Sequence, residues 1–178
     1  MAKGYERISR DLIAKGSIID YYQDTMQIPN GTTAKWDFIM HKGAAACVAV
    51  KKNGNLVMVR QYRNALERET IEIPAGGLNP GEDMRTAALR ELEEETGYKA
   101  GSFEFLLSIR TTVAFCNEQI DIYLAEDLAE GTQNLDEDEY LEIVEYPLEE
   151  LLDMIDKGVI QDSKTVSAIL AYSRKRGL

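Results

Sequence analysis

The chain has 178 residues, 20 of them Lys or Arg and 31 Asp or Glu, for a formal net charge of −11 at neutral pH. That length bounds the protein to one domain with a small extension, and the 44% hydrophobic and 29% charged fractions exclude disorder as its main state. The charge excludes a nucleic-acid polymer or an anionic membrane as the main partner, but 13 of the acidic residues fall within 125–156, which holds no Lys or Arg, so a small anion is still accommodated elsewhere.

From Tyr5 to Met40 apolar residues recur at about every second position, as in Ile18 and Tyr22 and then Met26 and Ile28, which predicts a β-hairpin followed by a strand over Trp36 to Met40. Pro29-Asn30-Gly31 separates two of these runs as a turn, and Asn30-Gly31-Thr32 is read as that turn rather than as a glycosylation sequon. Ala44 to Val50 is continuously apolar and predicts a strand buried on both faces, joined through Lys52-Asn53-Gly54-Asn55 to a second strand from Leu56 to Tyr62. Glu69 to Pro74 alternates again, and the Gly and Pro residues from Pro74 to Gly81 predict a loop without regular structure.

Glu82 to Thr96 is built of strong helix formers and stops at Gly97, a residue suited to end a helix. Phe103 to Val113 and Gln119 to Leu124 read as strands flanking a loop at Ala114 to Glu118, and Leu141 to Tyr146 as another strand. Two helices close the chain: Pro147 to Ile155, with Pro at the first helical position, and Ser163 to Arg174, with Val166, Ile169 and Leu170 on one face. This order predicts a mixed α+β domain. Cys47 and Cys116 lie in apolar surroundings without CxxC partners, which excludes a disulfide framework and a thiolate zinc site. Residues Met1 to Arg10 lack the apolar core of a signal peptide and no window spans a membrane, so a cytoplasmic location is expected.

The chemistry concentrates between Gly76 and Tyr98. Glu91, Glu94 and Glu95 stand at i, i+3 and i+4 and so share one helix face, where like charges repel. A divalent cation held by oxygen ligands beside a glycine loop would offset that repulsion, whereas a solvated acidic face is the plainer reading. The spacing decides between them. The segment resembles the Nudix box, Gly-x5-Glu-x7-Arg-Glu-U-x-Glu-Glu-x-Gly-U with U bulky and aliphatic, through Gly76, Glu82, Arg90, Glu91, Leu92, Glu94, Glu95 and Gly97. Tyr98 departs from the pattern at its final aliphatic position.

The resemblance extends to Arg60-Gln61-Tyr62-Arg63 and Glu72-Ile73-Pro74-Ala75-Gly76, which are similar to the ADP-ribose pyrophosphatase branch of the Nudix hydrolases. It implies a Nudix fold, a mixed β-sheet between helices, over residues 42–178. Residues 1–41 become a β-hairpin extension that dimerises and contributes to the substrate site. It further implies Mg²⁺, or Mn²⁺ in its place, on Glu91, Glu95 and the Ala75 carbonyl, with Glu94 as a ligand or water-orienting group and Glu82 as a ligand through water or a structural partner. Arg90 would hold these carboxylates in place.

By the same resemblance Arg63 contacts the diphosphate, the alternative being a surface ion pair with Glu67 or Glu69. Glu118 matches a catalytic base or metal-water ligand, with Glu94 the other candidate base and a solvent-facing loop glutamate the bland reading. Val113 and Ala114 replace a Pro-Gly pair of that branch, which leaves the substrate open. Trp36 is read either as a nucleobase-stacking side chain or as a core or dimer contact. His41 has no recognisable partner and is read as structural, and Asp136-Glu137-Asp138-Glu139 as a solvated loop bordering the site at most. The implied reaction is hydrolysis of a nucleoside diphosphate linked to another moiety, ADP-ribose giving AMP and ribose 5-phosphate, by a homodimer. A nucleotide sugar such as GDP-mannose, another dinucleoside diphosphate, or a non-catalytic nucleotide sensor are the alternatives.

Overall fold

A computed structural model describes residues 3–137 and 139–178, so Asp138 of the acidic run lies outside the described residues. The chain divides into two compact units, residues 3–43 with 110–119, and residues 44–109 with 120–178.

In the first unit β1 (Glu6–Lys15), β2 (Asp20–Gln27) and β3 (Thr33–Met40) form an antiparallel sheet in that order. The predicted turn at Pro29-Asn30-Gly31 joins β2 to β3: Gly31 takes a φ of 84°, and the Asn30 carboxamide oxygen accepts the Thr32 amide at 3.0 Å. Arg10 grips the buried carboxylate of Asp24 through two hydrogen bonds of 2.7 Å and lies over the Phe38 ring. Residues 110–119 attach to the end of β3, where the Ile39 amide donates to the Phe115 carbonyl at 2.7 Å and the His41 amide to the Asn117 side chain at 2.8 Å.

The second unit is a sheet between helices. β4 (Ala44–Val50) lies at its centre, with β5 (Leu56–Arg63) on one side and, from further along the chain, the strand Gln119–Glu126 on the other. β6 (Arg68–Glu72) pairs with β5, and β7 (Ala75–Gly77) with β4. The helix α1 (Met84–Thr96) follows, then β8 (Tyr98–Lys99), β9 (Ser102–Arg110), β10 (Gln119–Glu126), β11 (Ala129–Glu130), β12 (Leu141–Tyr146), α2 (Leu148–Asp156) and α3 (Ser163–Arg176). The order is β12-β5-β4-β10-β9, β10 running parallel to β4 and β12 antiparallel to β5, while β8 and β11 form a small ribbon.

β4 shows why its run is uninterrupted. Ala46, Val48 and Val50 pack with Leu151, Ile169 and Tyr172 of α2 and α3, while Ala45, Cys47 and Ala49 pack with Ala87, Ala88 and Leu92 of α1. This is the expected α/β/α arrangement.

Local differences have local causes. α1 begins at Met84, not Glu82, because the Asp83 side chain caps it by accepting the Thr86 amide at 3.0 Å. Pro147 is the cap residue of α2 rather than its first helical residue. The loop predicted after Pro74 contains β7, whose small residues pair with Ala44 to Ala46. In α3 the buried face is made by Thr165, Ala168, Ile169 and Tyr172, and Leu170 is exposed, because the helix meets the sheet one position away from the predicted stripe.

Candidate active site

α1 and the segment leading into it enclose a polar cavity of about 350 Å³, walled by Arg63, Ala75, Gly76, Gly77, Asn79, Arg90, Glu91, Glu94, Asn134, Asp136 and Glu139. Arg90 organises it. Its Nε and Nη2 donate to the two oxygens of Glu82, each at 2.9 Å, Nη2 also reaches the Gly77 carbonyl at 2.9 Å, and Nη1 donates to Glu91 at 2.6 Å and Glu94 at 2.8 Å. A planar fork with five N–H donors suits this task, which a lysine could not perform. Glu82 also accepts the Asn79 amide at 2.9 Å, so the turn before α1 is tied to the same guanidinium.

Three carboxylates share that one guanidinium, and Glu95 adds a fourth nearby. Glu95 is 2% exposed, and its Oε2 accepts the Ala75 amide at 2.9 Å. Burial pushes its pKa up to about 8 against the opposing Ala75 hydrogen bond, and the charges of Glu139 and Glu91 push the same way. Burial likewise raises Glu91 despite Arg90. The surplus negative charge is what a divalent cation would neutralise.

The donors suit such a cation: the carboxylates and the Ala75 carbonyl offer only hard oxygens. Gly76 makes room for one of these carboxylates beside the loop, since a Cβ there would stand 2.1 Å from the Glu91 carboxylate. Among the described residues no three His, Cys, Asp or Glu side chains are already gathered as a metal cage. Arg90 holds three of the carboxylates, and Glu95 turns to Ala75.

Arg63 reaches the cavity wall, but its ion-pair partner is neither Glu67 nor Glu69. Its Nε and Nη2 bind the two oxygens of Glu72 at 2.7 and 2.6 Å, because β6 returns beside β5 with Glu72 on the face that Arg63 shares, and the long side chain reaches along that face to it. Glu72 is 2% exposed and also receives the Thr70 hydroxyl and the Lys164 ammonium. Burial alone would raise its pKa, yet the hydrogen bonds and charges of Arg63 and Lys164 outweigh it and hold Glu72 at about 2. Because this lies below its ordinary 4.5, the contribution is complete above that pH and is lost as pH falls toward 2. Acid titration of folding stability is expected to show a loss on the order of 3 kcal/mol from this group, and Glu72→Gln should remove that segment of the curve.

The remaining candidates lie in the first unit. Glu118 is not a solvent-facing loop residue: its Oε2 accepts the Thr111 hydroxyl at 2.5 Å and its Oε1 lies 3.4 Å from His41 Nδ1. His41 therefore has a partner, and its Nδ1 also accepts the Gly43 amide at 3.0 Å. Their separation in sequence hid this pair. Trp36 is 46% exposed, which removes core packing as its role, and it borders an open groove of about 670 Å³ with Tyr21, Lys35, Asp37, Ile39, Ala114 and Phe115.

A model of the NUDIX domain matches residues 40–169. The chain belongs to the Nudix family. A methanol dehydrogenase activator of Bacillus methanolicus is 43% identical over 173 residues, covering 95% of this chain and 94% of its own length. An ADP-ribose pyrophosphatase of Bacillus subtilis is 40% identical over 173 residues, covering 96% and 94%. A crystal structure of an ADP compounds hydrolase superposes with a TM-score of 0.85 over 97% of this chain and 94% of that one, at 22% identity, and so shares the Nudix fold.

Other residues at or beneath this Nudix cavity have little local signal in the sequence. Glu72 stands out only as part of the Glu72-Ile73-Pro74-Ala75-Gly76 motif, and Lys164 not at all. Asn134 is placed by its amide, which donates to the Glu94 carbonyl at 2.9 Å, and brings Asp136 and Glu139 into the cavity wall. The acidic run thus does border the site.

Proposed function

We propose that this Nudix protein is a divalent-metal-dependent hydrolase of nucleoside diphosphates linked to a second moiety, with ADP-ribose cleaved to AMP and ribose 5-phosphate. The observation that carries the reading is the single guanidinium of Arg90 ordering Glu82, Glu91 and Glu94 around a cavity where Gly76 leaves room for the Glu91 carboxylate. The pyrophosphatase relative supports the choice of substrate.

Glu91, Glu95 and the Ala75 carbonyl would hold Mg²⁺ or Mn²⁺, with Glu94 and Glu82 alongside, and the ion supplies neutralisation of the diphosphate and of the leaving phosphate. Arg90 fixes the carboxylates, Arg63 binds a diphosphate oxygen with the edge that Glu72 leaves free, and Trp36 stacks on the nucleobase. A carboxylate takes the proton of the attacking water. Glu94 and Glu118 are the candidates from the sequence, and Glu139 joins them because it lines the cavity. Comparing Glu94→Gln, Glu118→Gln and Glu139→Gln identifies the base as the variant whose loss of kcat, about a hundredfold or more, is accompanied by loss of the acidic limb of the pH–rate profile.

The exposed Ile8, Leu12, Ile13 and Ile18 of the first unit support a homodimer built on that sheet. Light scattering at micromolar concentration should give twice the chain mass, and a monomer overturns this part of the proposal. The free cysteines accord with a cytoplasmic enzyme. The decisive assay measures products from ADP-ribose, nucleotide sugars, NADH and dinucleoside polyphosphates with Mg²⁺. ADP-ribose is expected to turn over fastest, and no turnover of any of them overturns the enzyme reading.

A second reading rests on the relative at 43% identity, named a methanol dehydrogenase activator: this chain would activate a methanol dehydrogenase. Adding it to such an enzyme, as wild type and as Glu95→Gln, tests that reading and reveals whether activation needs the hydrolytic site.

A further inference from the structure

Lys164 lies 8% exposed at the start of α3, an uncommon place for an ammonium group. It donates to Glu72 and, at 2.9 Å, to Asp162. The Glu72 oxygen it reaches, Oε2, is the one that Arg63 Nη2 binds at 2.6 Å. Asp162 is the cap of α3, accepting the Thr165 amide at 3.0 Å and hydroxyl at 2.6 Å, and Thr165 Oγ1 in turn accepts the Ile73 amide at 3.1 Å. The first turn of α3 is therefore fastened to the two residues, Glu72 and Ile73, that precede Pro74 and the Ala75–Gly77 wall of the cavity.

The charges explain why a buried lysine is placed here. Were Arg63 the only cation on the buried Glu72, its positive charge would be spent on that carboxylate. Lys164 supplies a second cation to Glu72, itself partly offset by Asp162, so Arg63 carries a smaller share of that carboxylate's charge, and its Nη1 is not engaged by Glu72. We infer that Lys164 is a positioning residue for substrate binding: by sharing Glu72 with Arg63, it holds the arginine in orientation and leaves its charge available to a diphosphate. The inference rests on the reading of Arg63 as the diphosphate's partner. It assigns a substrate-affinity role to a side chain that itself lies beneath the site and touches no substrate.

The test uses ADP-ribose. Lys164→Met keeps most of the apolar stem of the side chain and removes its charge, and is expected to raise KM about tenfold with kcat within about twofold. Metal-free calorimetry in EDTA should show the same fall in ADP-ribose affinity, which separates binding from turnover. A residue that only supported the fold would lower the melting temperature without this KM split. Lys164→Gln retains a donor to Glu72 and serves if the methionine variant does not fold; it should show the same KM direction.

Arg63→Ala distinguishes the two layers of the argument. If Arg63→Ala leaves KM and affinity unchanged, the reading of Arg63 is wrong and the inference falls with it. If Arg63→Ala weakens binding while both Lys164 variants leave it unchanged, the inference alone is overturned. In the double variant Arg63→Ala/Lys164→Met the lysine change should add less than about twofold, since Lys164 acts through Arg63. Additive effects overturn that route.

Discussion

Glu95→Gln is expected to lower kcat/KM by about a thousandfold or more while leaving the protein folded. The amide oxygen of the variant can still accept the Ala75 N–H that Glu95 now receives at 2.9 Å, so the local geometry has no reason to collapse. What disappears is a negative charge in a site 2% exposed, where it serves as a metal ligand in the proposed reaction. The same substitution reports on stability. Since burial lifts Glu95 from an ordinary 4.5 to about 8, the native state favours its protonated form: the stabilisation is complete below 4.5 and is lost as pH rises through about 8.

Metal-free wild type should therefore lose stability, on the order of 5 kcal/mol at most from this group, between those limits. Glu95→Gln should not, and its melting temperature should exceed that of the wild type at alkaline pH. Mg²⁺ should raise the wild-type melting temperature more at pH 8 than at pH 6, because protons compete for the ligand. Retained activity in Glu95→Gln would remove the carboxylate from the mechanism.

Gly76→Ala is expected to separate activity from stability most cleanly. Its added methyl would come within 2.1 to 2.4 Å of the Glu91 carboxylate, an approach that cannot persist. The obstructed atoms are the end of a flexible side chain, and Gly76 does not occupy the left-handed region, so Glu91 can move aside at small cost to the fold. Moving it breaks its 2.6 Å bond to Arg90 and displaces a proposed ligand. The expected outcome is a melting temperature within a few degrees of wild type and activity down by about a hundredfold or more. Gly77→Ala, where an added Cβ meets nothing within 4 Å, leaves Glu91 in place and should lose much less activity than Gly76→Ala. Equal activity in both variants would show that Glu91 need not stand where it does.

Much of this protein is local and was therefore readable from residue order. A helix repeats its faces every few residues, so the spacing of Glu91, Glu94 and Glu95 on α1 placed them together before any fold was known. Gly97 ends that helix with a φ of 69°, as its identity implied. The apolar run of β4 had to be covered on both faces, and it is. The box spacing likewise joined Gly76 and Glu82 to Arg90, because all belong to one loop and the helix it enters.

What only the tertiary structure decided involves partners far apart in the chain or chosen by strand pairing. Arg63 binds Glu72 instead of Glu67 or Glu69 because the register of β5 against β6 sets Glu69 opposite Tyr62, on the other face, and leaves Thr70 and Glu72 on the face that Arg63 shares with Gln61 and Val59. Lys164 meets Glu72 across 92 positions, and His41 lies beside Glu118 through a loop attached to the end of β3. Burial, too, belongs to the fold: spacing puts Glu95 on the face of Ala88 and Leu92, but only the closing of the Ala75 segment over it seals it to 2% exposure, while Glu94 one position before stays on the cavity wall. Periodicity determines which face a side chain takes, but the depth of that face, and hence the charge it can hold, depends on the elements that close over it.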